Sequence, residues 1–308
     1  MSTQEQRIAG GLYGLLIGDA LGVPYEFKPP QNLPPLEQIE FEPPEGFART
    51  YEGLPIGTWS DDGAQALCLL ASLLEIGEFD AEDFGLRLVR WAEEGYMAVD
   101  NHVFDIGITT SAAIRNLRRG VFAEAAGLTD EHSNGNGSLM RVLPLALWHR
   151  GSDEDLMDDA MTQSRVTHGH VRSQLCCALY SLWARRILQE SAAPWDEAVQ
   201  GLRDYLGEDS PGRKELEFHI FLGEADARGT GYVVDCLRSA RWAVEQGPYE
   251  IAVKKAVALG NDTDTTACVA GGIAGLRDGL DAIPQRWREA LRAQEVVQPL
   301  LDGLLNRL

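Results

Sequence analysis

The sequence predicts an all-α fold of many short and medium helices, on three observations. Apolar residues recur with a period near 3.6 through "LASLLEIG", "FGLRLVRWAEEGY", "SLMRVLPLALWHRG", "QLCCALYSLWARRILQE", "GYVVDCLRSARWAVEQG" and "ALRAQEVVQPLLDGLLNRL". That spacing gathers them on one face of a helix. Alternating β-branched runs flanked by turn signals are nearly absent. No unit of roughly 30–50 residues repeats, which disfavours a solenoid.

A chain of 308 residues, 44% hydrophobic and 24% charged, has the composition of a globular protein with a large core. Its formal net charge of −20 argues against a nucleic-acid backbone or an anionic membrane as partner. An anionic substrate must then be met by local cations or backbone N–H groups. The five cysteines, Cys68, Cys176, Cys177, Cys236 and Cys268, show no metal-site spacing and sit mostly in apolar runs. They read as buried free thiols of a reducing compartment. Residues 1–7 are polar, and no leader or membrane span is evident, so a cytoplasmic location is expected.

The first element is "IAGGLYGLLIGDALGVPYEF". Gly10, Gly14, Gly18 and Gly22 recur every four residues on one helical face. Each costs about 0.8–1 kcal/mol of helix propensity relative to alanine. Close approach of a second helix would offset that; a substrate passing the helix end near Gly22 is the other reading. Residues 23–57 then hold eight of the 14 prolines and cannot be regular helix. A loop of this length in a compact domain is expected to wall a site. Glu26 stands at its mouth.

Two helix starts are richer in oxygen than capping requires. "GTWSDDGAQALCLLASLLEIG" places Ser60, Asp61 and Asp62 ahead of a run too apolar for a surface helix. "GNDTDTTACVAGGIAGLRDG" places Asp262 and Asp264, with the hydroxyls of Thr263, Thr265 and Thr266, at the start of another. N-capping and the helix dipole would account for either alone, at about 0.3–2 kcal/mol. If both starts meet, four carboxylates share one place and need protons or a cation between them. Oxygen ligands suit Mg²⁺, Mn²⁺ or Ca²⁺ rather than zinc. Asp262 and Asp264 would point about 200° apart on a continuous helix but can converge at a turn.

Between these starts, "SNGNGSLMR" reads as a glycine-rich turn into a helix, whose successive N–H groups suit a phosphate. Five motifs, "GLLIGDALGVPYEF", "GTWSDDGAQA", "GNGSLMRVLPLAL", "VTHGH" and "GNDTDTTACVAGGIAGLRDG", occur in this order. Together they resemble the ADP-ribosylglycohydrolase family, nearest its dinitrogenase reductase-activating branch. The resemblance implies one compact domain over residues 1–308, an orthogonal bundle of helices. It implies two divalent cations, Mg²⁺ or Mn²⁺, held by Ser60, Asp61, Asp62, Asp262, Asp264 and Thr265. The family commonly has threonine where this chain has Ser60, so a hydroxyl is retained.

By the same resemblance, Glu26 is the active-site glutamate, and Asp105 in "VFDIGITTSAAI" is the aspartate beside the reacting ribose. Read alone, Asp105 would be an N-cap for the helix that follows. Ile108 replaces a polar residue of that branch, so contacts to the leaving group are expected to differ. Asn136, Gly137, Ser138, Met140 and His168 are implied to line the ADP-ribose site. Tyr232 in "GTGYVVDCL" is implied to wall it, with core packing as the competing role.

The implied reaction removes ADP-ribose from a modified protein side chain, N-linked arginine first, by attack of an activated water at the anomeric carbon. Either Asp105 or Glu26 would move the proton. Two alternatives stand: an O-linked, serine-type acceptor, or a non-catalytic, crystallin-like binder of ADP-ribose.

Overall fold

The computed structural model describes residues 1–221 and 227–308. Its α-helices are α1 Thr3–Gly22, α2 Asp61–Ile76, α3 Ala81–Glu94, α4 Ile108–Arg118, α5 Leu143–Trp148, α6 Asp153–Arg165 and α7 Val171–Leu188. They continue with α8 Pro194–Leu206, α9 Pro211–Glu215, α10 Val233–Glu245, α11 Tyr249–Ala258, α12 Thr263–Asp278, α13 Gln285–Ala290 and α14 Gln294–Leu305. Among the described residues there is no β-strand, only isolated bridges pairing Leu128 with His168 and Gly135 with Tyr232. The fold is all-α, as the apolar period predicts.

The centre is the pair α1 and α12, whose glycines let the backbones touch. A Cβ added at Gly10 would lie 2.3 Å from the Gly275 carbonyl oxygen, and one at Gly271 would lie 2.3 Å from that of Gly14. At Gly18 it would lie 2.1 Å from the Ala267 carbonyl oxygen, and at Gly22 2.4 Å from the Asp264 Cα. Close helix packing, not substrate passage, therefore explains the four-residue period. It also seats the start of α12 against the end of α1. By length and composition α1 is apolar enough to cross a membrane, a property the reading of the sequence did not flag. In this fold its most apolar window is wholly buried, and every residue from Ile8 to Gly22 belongs to the interior.

Helix α2 starts on a serine N-cap and ends at Gly77 in the left-handed conformation (φ 87°), a stop that costs glycine little. The expected helix after "SNGNG" begins later than predicted. Residues 136–142 form hydrogen-bonded turns, and α5 starts only at Leu143, with Pro144 in its first turn. Proline favours that position because it has no N–H to leave unpaired there.

The proline-rich loop holds three short 3₁₀ turns, Val23–Tyr25, Pro30–Asn32 and Leu36–Gln38, followed by irregular chain with turns at residues 44–47 and 51–54. The buried Tyr25 hydroxyl donates to the Glu40 carbonyl (2.7 Å) and accepts from its N–H (3.0 Å). Ile39 and Phe41 are buried alongside. All five cysteines are buried and unpaired, as expected.

Candidate active site

The first turns of α2 and α12 meet at the floor of a cavity of about 410 Å³. Asp61, Asp62, Asp262 and Thr265 line it, with Glu26, Asp105, Asn136, Gly137, Met140 and His168. One carboxylate oxygen each from Glu26, Asp262 and Asp264 lies within 4.8 Å of the others. The Thr265 hydroxyl donates to Asp62 Oδ1 (3.3 Å), which ties the two helix starts together. Asn136 Nδ2 donates to Asp262 Oδ2 (2.9 Å). Asp264 Oδ1 accepts from the Thr265 N–H (2.9 Å).

A backbone clasp brings Glu26 here. The N–H of Phe27 donates to the Asn261 carbonyl (2.6 Å), and that of Asn261 to the Lys28 carbonyl (2.7 Å). Both clasp residues hold left-handed backbones, Phe27 at φ 60° and Asn261 at φ 62°. From the far end of the loop, the Tyr51 hydroxyl donates to Glu26 Oε2 (2.9 Å) and Thr50 Oγ1 donates to the Glu26 carbonyl.

Crowded, buried carboxyls hold their protons. Burial, then the charges of Asp105 and Asp262, push Glu26 up to about 10. Burial and neighbouring aspartates raise Asp61, Asp62 and Asp264 well above the ordinary range. Burial raises Asp105 too, against the opposing hydrogen bond from Tyr51. Asp62 Oδ2 and Asp264 Oδ2 are buried with no hydrogen-bond partner among the described residues. Buried carboxylate oxygens without donors are costly unless a cation faces them. An all-oxygen donor set with two such oxygens fits a hard divalent cation.

The family model for ADP-ribosylglycohydrolase matches residues 1–308. The chain belongs to the ADP-ribosylglycohydrolase family. It is 33% identical over 315 residues to the ADP-ribosylarginine hydrolase Tri1 of Pseudomonas putida (strain GB-1), covering 99% of this chain and 80% of that one. It is 26% identical over 309 residues to the ADP-ribosyl-[dinitrogen reductase] glycohydrolase of Rhodospirillum rubrum, covering 98% and 96%. A solved structure titled ADP-ribosylglycohydrolase-related protein complex superposes with a TM-score of 0.77 at 32% identity, over 100% of this chain and 99% of that one. The chain is thus a glycohydrolase by family, which sets aside the non-catalytic alternative.

Within this ADP-ribosylglycohydrolase, several sequence expectations need correction. Asp105 is no N-cap: Gly107 occupies that position for α4, and Asp105 instead holds a left-handed backbone (φ 59°) with its side chain at the cavity. Ser138 does not line the cavity. It is fully buried; its hydroxyl accepts from Ser164 Oγ (2.8 Å) and its carbonyl from Gln163 Nε2 (3.1 Å), so it braces the turn from beneath. Tyr232 is not a core residue. It is 37% exposed, accepts from an Arg172 guanidinium nitrogen (3.0 Å) and caps α10 through its backbone, while its neighbour Gly231 reaches the cavity.

The expected run of free N–H groups is also shorter than predicted. The Asn136 N–H is bonded to Gly231, and those of Leu139 and Met140 to the Asn136 carbonyl. Ser60 is buried off the cavity lining and caps α2 by accepting from the Asp62 N–H (3.2 Å). A Cβ at Gly137 would lie 2.8 Å from His168 Cε1, so a larger residue there would displace the His168 ring. Burial, then Arg141, push His168 down to about 3, so the ring is neutral.

Three site-supporting residues went unread in the sequence. Asp19 of α1, fully buried and raised to about 7 chiefly by burial, accepts from the N–H groups of Ser60 (2.9 Å) and Gly63 (2.8 Å). It therefore caps α2 from another helix. Arg141, also fully buried, donates to Gln65 Oε1 (2.7 Å), and Gln65 Nε2 donates to Asp61 Oδ2 (3.0 Å). Arg141 donates as well to Thr167 Oγ1 (2.8 Å), which lies 2.8 Å from His168 Nδ1. One buried guanidinium thus orients groups on both walls. The available signal was a polar side chain on each apolar helix: Asp19 in "IGDALG" and Gln65 in "GAQALCLL".

Proposed function

We propose that the chain hydrolyses the N-glycosidic bond of ADP-ribosyl-arginine on protein, with two Mg²⁺ or Mn²⁺ ions at the joined starts of α2 and α12. The observation that carries this reading is the pair of donorless buried oxygens, Asp62 Oδ2 and Asp264 Oδ2, inside a carboxylate cluster. Asp61, Asp62, Asp262, Asp264 and Thr265 would hold the ions. The Ser60 hydroxyl would join them through its remaining lone pair, because capping uses only one. When bound, such ions supply positive charge toward ribose hydroxyls and acidify a water molecule.

The chain's own groups supply the rest. Asp105 lines the same cavity and moves the proton, taking it from the attacking water or giving it to the departing guanidine. The carboxylate field favours the positive charge that develops on the ribose as the bond breaks. Glu26 sits within ligand range of Asp262 and Asp264, so its role is to hold an ion or the ribose beside it. Neutral His168 and the glycine-rich turn bound the path of the diphosphate. The relative named for arginine supports that acceptor over serine.

Release of ADP-ribose from arginine-modified and serine-modified peptides tests the reading. The arginine peptide is expected to be the better substrate. Asp61→Ala and Asp262→Ala are each expected to cut the rate by more than about a hundredfold in saturating Mg²⁺, more than loss of a ligand-supporting group. Unchanged rates would sink the cation scheme.

Gln65→Leu breaks the Arg141–Asp61 relay without touching the cavity lining. It is expected to raise the Mg²⁺ concentration for half-maximal activity by about 10–100-fold, with activity recovered at high Mg²⁺. A rate that no cation concentration restores would show that Gln65 acts otherwise.

A further inference from the structure

The acidic floor carries an apolar rim that the proposed chemistry does not use. Phe27, Ile106 and Ile108 line the same cavity and are 66%, 37% and 89% exposed. Single exposed apolar residues are ordinary, but three around one mouth form a patch suited to a partner. Phe27 is the sharpest case. A bulky residue rarely holds a left-handed backbone; here the clasp with Asn261 holds φ at 60° and leaves the side chain 66% exposed. The clasp thus presents an exposed apolar side chain beside Glu26 at the cavity.

Position fixes which end of the substrate the rim meets. Phe27 directly follows Glu26, and Ile106 directly follows Asp105, the carboxylates that the proposed reaction sets beside the ribose. The turn carrying Gly135, Asn136 and Gly137 forms another part of the lining. Within ADP-ribose, a diphosphate and a second ribose separate the adenine from the anomeric carbon. Apolar groups next to the proton-moving carboxylate therefore face the acceptor.

We propose that Phe27, Ile106 and Ile108 form an acceptor subsite that packs on the aliphatic stem of the modified arginine and sets a preference for acceptors with such a stem. This rests on the arginine reading above. An arginine matches the site in kind, with a polar guanidine over the carboxylates and methylenes across the rim. A serine acceptor has no stem to place there.

ADP-ribosylated guanidines carrying a butyl or a methyl group test this, because the bond broken is the same and only the stem differs. The wild-type chain is expected to favour the butyl compound by roughly tenfold in kcat/KM, the worth of one or two buried methylenes. Phe27→Asn and Ile108→Asn should each cut that ratio, and Ile108→Leu should retain it. Asparagine accepts a left-handed backbone more readily than phenylalanine, so Phe27→Asn is expected to melt no lower than wild type. A ratio near one in wild type, or a ratio unmoved in both asparagine variants, overturns the subsite. An equal loss of affinity for ADP-ribose itself also overturns it, by placing the rim on the adenosine side. A wild-type chain that cleaves neither compound overturns the arginine reading and the subsite together.

Discussion

Asp62→Asn is expected to abolish ADP-ribosyl hydrolysis while raising the melting temperature of the cation-free chain. The side chain is 1% exposed, and its Oδ2 has no hydrogen-bond partner among the described residues. An amide of the same shape cannot serve as an anionic ligand, so the rate should fall by more than about a hundredfold. An amide is also neutral at every pH, so it escapes the cost of charging or protonating a carboxyl beside Asp61, Asp262 and Asp264. In large domains about 2–4 °C follows each kcal/mol relieved.

The pH dependence carries the same logic. These carboxyls bind protons more tightly folded than unfolded, and Glu26 is raised as far as about 10. Their contribution to stability therefore declines as pH rises above the ordinary carboxylate range near 4. Without cations, the wild-type melting temperature should fall between about pH 5 and pH 8, and more steeply than that of Asp62→Asn. Mg²⁺ or Mn²⁺ competes with those protons and should stabilise the wild type more at the higher pH. Thermal melts with and without chelator, beside a rate assay, check both halves. A variant that is inactive and also less stable without cations would mean that Asp62 is a structural residue.

Gly18→Ala is expected to cost about 3 kcal/mol or more, although alanine is the better helix former. Its Cβ would lie 2.1 Å from the Ala267 carbonyl oxygen and 2.7 Å from the carbonyl carbon. Backbone cannot rotate away as a side chain can, so α1 and α12 must separate. That separation shifts the start of α12, and Asp262 and Asp264 with it, so activity should fall alongside stability. The same substitution at Gly201, within α8, has the opposite expected sign. There the nearest atoms lie 3.5 Å and 3.6 Å away, at the ends of Arg186 and Leu182. Gly201→Ala should gain roughly 0.5–1 kcal/mol from propensity. Urea denaturation of both variants decides the matter; equal effects would remove the close-packing account of the glycine face.

The sequence by itself determined the elements and the two places where chemistry starts. Helix period, a serine cap and clustered aspartates act within a few residues, so local pattern suffices to show them. It also showed that one face of α1 must be pressed by something. Only the tertiary structure decided that the something is α12. That pairing places Thr265 against Asp62, 203 positions away in sequence, and no local pattern encodes a contact of that range.

Glu26 gives the same lesson from the loop. Its residue type was legible, but its place beside Asp262 depends on the Phe27–Asn261 clasp. Ser138 lay inside a recognisable motif and still turned away from the cavity, because the direction of a turn side chain is set by what packs beneath it. Asp19 and Arg141 remained hidden for a related reason. A buried charge announces itself only through its partners, and those partners come from helices that sequence order keeps apart.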